Sequence, residues 1–126
     1  MDDLVAEWIK FSDLDLSAAE HLYKTMRPQP LEIICYHCQQ SAEKALKAYW
    51  IFSGEKPPKT HDLKQLLEFC ESNDNEFTTI SIACIRLTDY GIQPRYPLEM
   101  EVTDGNTFLA LQDSKKINEF VKEKMK

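Results

Sequence analysis

"CYHCQQSAEKALKAYW", residues 35–50, decides how the chain is read. Two cysteines stand at CxxC spacing with a histidine between them, and a run of Gln, Glu and Lys follows. At about 100° per residue, Ile34, Cys38, Ser41, Ala42, Ala45, Ala48, Tyr49 and Phe52 fall on one broad arc of a helix. That arc predicts the buried face, and its small centre lets neighbouring helices approach closely. On the opposite face Tyr36, Gln40, Glu43 and Lys47 recur within about 60° of arc, with Gln39 and Lys44 beside them. Two readings of this polar stripe stand. It is either a solvated surface, on which Glu43 and Lys47 form an i,i+4 pair of about 0.2–0.5 kcal/mol, or a row of groups that receives a ligand.

The cysteines do not read as a metal or redox centre. A structural zinc site needs two further ligands at matching spacing, whereas Cys70 and Cys84 stand alone. A redox CxxC opens a helix that follows a strand, and nothing before residue 35 reads as a strand. Core packing of the thiols is expected, with His37 a flanking residue, and no metal or cofactor is implied.

Working outward, helical periodicity continues in both directions. A first helix is predicted over about residues 3–26, with Leu4, Trp8, Phe11 and Leu22 at helical spacing, and "RPQP" ends it. Pro30 suits the first turn of the second helix, which runs to about Phe52 and stops at Gly54. "GEKPPKT" is a stiff loop whose Thr60 can cap a third helix over about 61–72. A fourth helix is predicted over about 75–90 and a fifth over about 105–124, with the Pro-containing "GIQPRYPLEMEVTDG" as a loop between them. Trp8, Phe11, Phe69, Phe77, Phe108 and Phe120 read as core or dimer interface. The fold class expected is all-α, a single domain over 1–126 built as an up-and-down bundle of five helices.

Charge excludes some functions. The net charge is −6, from 21 acids and 15 bases, which opposes non-specific nucleic-acid binding by counterion release. Its distribution is uneven: residues 33–64 hold five lysines against three acids, and Arg86 and Arg95 can join them in space. No run of about 18 apolar residues exists, and "MDDLVAEWIK" is acidic where a signal peptide is basic. No membrane association is expected, and a cytoplasmic location is.

Three blocks together carry a resemblance: "CYHCQQSAEKALKAYW", "PPKTHDLKQLLEFC" and "LTDYGIQPRYP". In this order, within about residues 10–125, the chain resembles the HEPN domain family of small prokaryotic helical proteins. The resemblance implies an up-and-down helical bundle, commonly a homodimer, frequently partnered with a minimal nucleotidyltransferase. Some members of that family are ribonucleases, often the toxin of a toxin–antitoxin pair. Others are proposed to bind nucleotides or to act as accessory domains.

One departure concerns catalysis. The ribonucleases of that family carry an Arg followed by four to six residues and then a His, a cation for phosphate and an imidazole for proton transfer. After Arg86 those positions hold Gly91, Ile92 and Gln93, and after Arg95 they hold Met100, Glu101 and Val102. No histidine follows His61. No catalytic residue is therefore assigned, unless His61 supplies the missing group from elsewhere in the fold. His61 and Asp62 otherwise read as the start of helix 3, where Thr60 or His61 caps and Asp62 favours the positive end of the helix dipole. Arg95–Tyr96, between Pro94 and Pro97, presents a guanidinium that either meets phosphate or carboxylate in a fork or pairs with Glu43 or Asp89.

The expected function is a HEPN binding or accessory module. Its candidate ligand-binding residues are Tyr36, Gln40, Glu43, Lys44, Lys47, His61, Arg86, Arg95 and Tyr96. The ligand is a nucleotide or an RNA phosphate, or a nucleotidyltransferase partner's surface. A divergent ribonuclease and a purely structural partner subunit are the alternatives.

Overall fold

The computed structural model describes residues 2–91 and 101–126. Five α-helices follow in chain order: α1 Asp3–Thr25, α2 Leu31–Phe52, α3 Leu63–Asn73, α4 Ser81–Thr88 and α5 Asp104–Lys124. No strand occurs among the described residues. The all-α bundle expected from periodicity is what the chain adopts.

Helix α2 sits in the middle and touches every other helix, with α1 and α5 its principal neighbours. Its predicted small face is buried: Cys38, Ser41, Ala42, Ala45 and Ala48 are all inaccessible. Short side chains here let the α1 and α5 backbones come close enough for side-chain hydroxyls to reach main-chain carbonyls. Ser12 Oγ donates to Ser41 O at 2.7 Å and Ser114 Oγ donates to Cys38 O at 2.8 Å. Asn118 Nδ2 donates both to Ser12 Oγ at 3.0 Å and to Asp13 Oδ1 at 2.9 Å, tying α5 to α1. Around this polar seam lies one apolar core that includes Ile34, Leu46, Leu66, Phe77, Leu87 and Ile117.

Local chemistry sets the helix ends. Asp2 caps α1 by accepting from Leu4 N, and Thr103 with Asn106 forms a capping box at α5. Gly54 ends α2 at φ +88°, the left-handed conformation that a side chain resists. The α3 cap is Asp62, whose side chain accepts from Lys64 N, so the helix starts at Leu63 rather than 61. Thr60 acts one step earlier, its Oγ1 accepting from Asp62 N at 3.1 Å. Helix 4 is also shorter than the 75–90 expected. Asp74 caps a 3₁₀ turn over Asn75–Ile80 before α4, and a second 3₁₀ turn covers Asp89–Gly91.

Three apolar residues read at helical spacing are exposed: Leu4 at 53%, Phe11 at 44% and Phe108 at 51%, so Phe11 and Phe108 do not belong to the core. Phe52, placed on the buried arc by its angle, is also exposed. No helix among the described residues is long and apolar enough to cross a membrane. The loop with Pro94 and Pro97 lies outside the described residues.

A Cβ built on Gly54 would meet nothing within 4 Å, so substitution there costs backbone conformation and no packing. Gly54→Ala is expected to lower unfolding stability by about 1–2 kcal/mol. Gly54→Asn should lower it less, because Asn tolerates the left-handed region. Urea titration with an unchanged m-value checks both.

Candidate functional site

The polar stripe of α2 is not a solvated face. Glu43 and Lys47 are buried, at 4% and 8% exposure, and Gln39 is fully enclosed. The reason is tertiary: α1 lies along one flank of α2, and the loop leading into α3 folds over the other. Twelve of the 22 residues of α2 are buried, more than a single amphipathic arc holds.

Glu43 organises what was read as a row of surface groups. Its Oε2 accepts from Lys47 Nζ at 3.0 Å. Its Oε1 is 2.9 Å from His61 Nδ1 and accepts weakly from Gln39 Nε2 at 3.4 Å and Gln40 Nε2 at 3.5 Å. Gln39 Nε2 also donates to the His61 carbonyl at 2.9 Å, and Gln40 Nε2 donates to Gln39 Oε1 at 2.8 Å. His61 is thus held by its backbone and by its ring. A carboxylate accepts only, so the proton of this contact sits on Nδ1 and the Nε2 edge is left to face outward. The His61 side chain is 72% exposed, while the Glu43 side chain beneath it is 5% exposed.

Lys47 has a second contact, with its Nζ 5.7 Å from the centroid of the Trp8 ring. Lys44, one position along from Glu43, points to a different acid. Asp15 of α1 accepts from Lys44 Nζ at 2.5 Å and lies 2.9 Å from His37 Nδ1. His37 is therefore part of the α1–α2 contact and more than a flanking residue. Burial alone would raise the Asp15 carboxyl, but hydrogen bonds from His37 and Lys44 hold it below its ordinary value of 3.8. Tyr36 is half-buried on the same helix, its ring edge-on to His37.

Arg86 is placed apart. Its Nε and NH2 donate to Asp113 Oδ2 and Oδ1, both at 2.8 Å, a fork that pins α4 to α5. Among the described residues no hydrogen bond or ion pair joins it to the Glu43 network. Arg95 and Tyr96, and with them the expected pairing of Arg95 with Glu43 or Asp89, lie outside the described residues. Gly91, the last described residue before that segment, approaches the Gln39 side chain: a Cβ on it would come within 3.1 Å of Gln39 Nε2.

The structure thus joins Gln40, Glu43, Lys47 and His61, puts Lys44 with Asp15, and sends Arg86 to Asp113. Sequence reasoning missed Asp15 and Asp113, and placed Gln39 beside the stripe without making it a candidate. Asp113 had a signal, since it falls between Ala110 and Ile117 on the apolar arc of α5, and an acid there requires a cation. Asp15 had the same signal, since it falls four residues after Phe11 and seven after Trp8, on the arc of α1 that reads as apolar.

All four cysteines are free and buried. Burial pushes the Cys38 and Cys70 thiols far up and that of Cys84 up to about 12, which keeps them protonated and unreactive. No three His, Cys, Asp or Glu side chains converge as a metal site among the described residues.

These features define an all-α bundle in which a buried Glu43–Lys47 pair carries an exposed histidine, His61. The family profile described as the HEPN domain matches residues 5–124, and the chain belongs to that family. Two solved structures share the fold. TT1696 from Thermus thermophilus is similar at a TM-score of 0.85 and 24% identity, over 98% of this chain and 99% of that one. ST0689, an archaeal HEPN homologue, is similar at a TM-score of 0.76 and 24% identity, over the full length of both chains. A search of curated proteins gives no match.

Removing one partner of a buried pair strands the other charge. Glu43→Gln is expected to cost about 3 kcal/mol, while Glu43→Leu with Lys47→Met recovers most of that loss. Chemical denaturation of the three proteins checks this. For Asp15 the folded value lies below the unfolded one, so its contribution is complete above about pH 4 and is lost as pH falls through the folded value. Asp15→Asn should therefore flatten the decline of stability below pH 4, read from urea midpoints across an acid series.

Proposed function

We propose that this chain is a HEPN binding module whose ligand carries a phosphate, a nucleotide or a short RNA, and meets His61 first. The observation that carries this reading is the disposition of His61. Its Nδ1 is anchored on buried Glu43, its carbonyl is anchored by Gln39, and its ring is largely exposed. A side chain fixed at two points loses little conformational freedom when it meets a ligand.

Charge bookkeeping narrows the role of the other candidates. Glu43 with Lys47, and Asp15 with Lys44, are neutral pairs, so neither lysine brings net positive charge to a phosphate. Arg86 is likewise neutralised by Asp113. Among the candidate residues, positive charge for the ligand then falls to His61 when protonated and to Arg95, which the sequence nominates together with Tyr96.

That same neutrality favours a second reading. A face whose cations are already paired suits a protein surface better than a polyanion, and the partner would be the nucleotidyltransferase that the family resemblance implies, with the domain acting as a homodimer. The ribonuclease reading lacks the Arg-to-His spacing and rests on His61 alone.

A thermal-shift titration against ATP, GTP, AMP and a short RNA separates the first two. A ligand at a hundred times its dissociation constant stabilises the fold by about 2.7 kcal/mol. Stabilisation by one phosphate-bearing ligand is expected, and it should vanish in both His61→Ala and Arg95→Ala. A flat response across the panel would reject the phosphate reading in favour of the protein partner.

A further inference from the structure

A groove of about 650 Å³ lies between the first turns of α1, the end of α2 and the loop that follows it. That volume is within the range of small-molecule sites. Its floor is apolar, formed by Leu4, Trp8, Ile51 and Pro57, and its rim carries Lys56 and Lys59. One carboxylate, Glu55, shares the rim, so the rim charge is positive by one.

The groove is prebuilt. Gly54 N donates to Ile51 O and Glu55 N donates to Trp50 O, both at 2.9 Å, which fastens the start of the loop to the last turn of α2. Pro57 and Pro58 fix the backbone beyond it, between the two lysines. Leu4 is 53% exposed on this wall although the helix it sits on has a buried face available.

The lysines of the rim differ from those of the network. Lys44 and Lys47 are each bound to an acid, whereas Lys56 and Lys59 form no ion pair with a described residue. In a chain of net charge −6, two such cations beside an apolar floor make a place complementary to one kind of molecule. We propose that this groove binds a small amphipathic monoanion, a hydrocarbon body with a single carboxylate, with the body on Leu4, Trp8, Ile51 and Pro57 and the carboxylate on Lys56 and Lys59. A nucleotide fits this surface poorly. Its base and ribose carry many polar atoms that an apolar floor leaves unpaired, and Lys47 already lies over the Trp8 ring. The groove shares no lining residue with the Glu43–His61 network, so either site can fail without the other.

Isothermal titration calorimetry with decanoate and decanol, both below the micellar range, tests the assignment on the full chain. The two share a body and differ in the charged head. Decanoate is expected to bind one to one and about tenfold more tightly than decanol, the size of a charge-assisted hydrogen bond. Lys56→Gln with Lys59→Gln, both on the exposed loop, should erase that difference and leave decanol binding unchanged. Leu4→Asp, exposed on the groove wall, should weaken both. The proposal is overturned if neither compound binds, if the two bind equally, if the advantage of decanoate survives in the double lysine variant, or if AMP displaces decanoate from the groove.

Discussion

The close approach of α1 and α5 to the small-residue face of α2 is the constraint on which the rest of the structure depends. Where Cys38, Ser41, Ala42, Ala45 and Ala48 would leave a shallow trough on an isolated helix, two neighbours fill it. Backbones that near can share hydrogen bonds, and Ser12, Ser114 and Asn118 supply them across three helices. Hydroxyls and an amide in a core are costly unless paired, and among the described residues no buried side-chain polar atom lacks a partner. The seam therefore selects one register of the three helices over others that would leave those groups unmet.

Surrounding α2 has an electrostatic consequence. A helix with neighbours on two flanks cannot keep a polar stripe in water, so each charge on it must find a partner inside the fold. Glu43 finds Lys47 and His61, Lys44 finds Asp15, and Asp113 of α5 finds Arg86 of α4. Apart from Glu43–Lys47, which lies within α2, each pair also fastens two elements: the loop before α3 to α2, α1 to α2, and α4 to α5. Ion pairs of this kind add less to stability than their count suggests, because desolvation offsets the attraction. What they do supply is position, and His61 is the residue whose placement they determine on the outer surface.

The arrangement is chemically specific in one respect. An imidazole with Nδ1 on a buried carboxylate has its tautomer and ring orientation set before any ligand arrives, and its outer nitrogen can accept or donate according to protonation. The lysines that a linear reading places beside it are already neutralised. The face is thus polar without being basic, in keeping with the acidic balance of the chain, which opposes counterion-driven binding.

Much of the fold was legible in the sequence because helix formation is governed by contacts three and four residues apart. The small arc of α2, the stop at Gly54 and the ends near Thr25 and Asp104 all follow from local spacing and backbone preference. The grouping of Gln40, Glu43 and Lys47 was legible too, since one helix face carries all three. Their burial was not, because periodicity gives an angle around a helix but does not tell how many neighbours cover it. Likewise, nothing local links Asp15 to Lys44, His61 to Glu43, or Arg86 to Asp113, pairs separated by 29, 18 and 27 residues. Only the packing of the bundle, which excludes water from α2 on two sides, decides which charges must meet and which ring is left facing out.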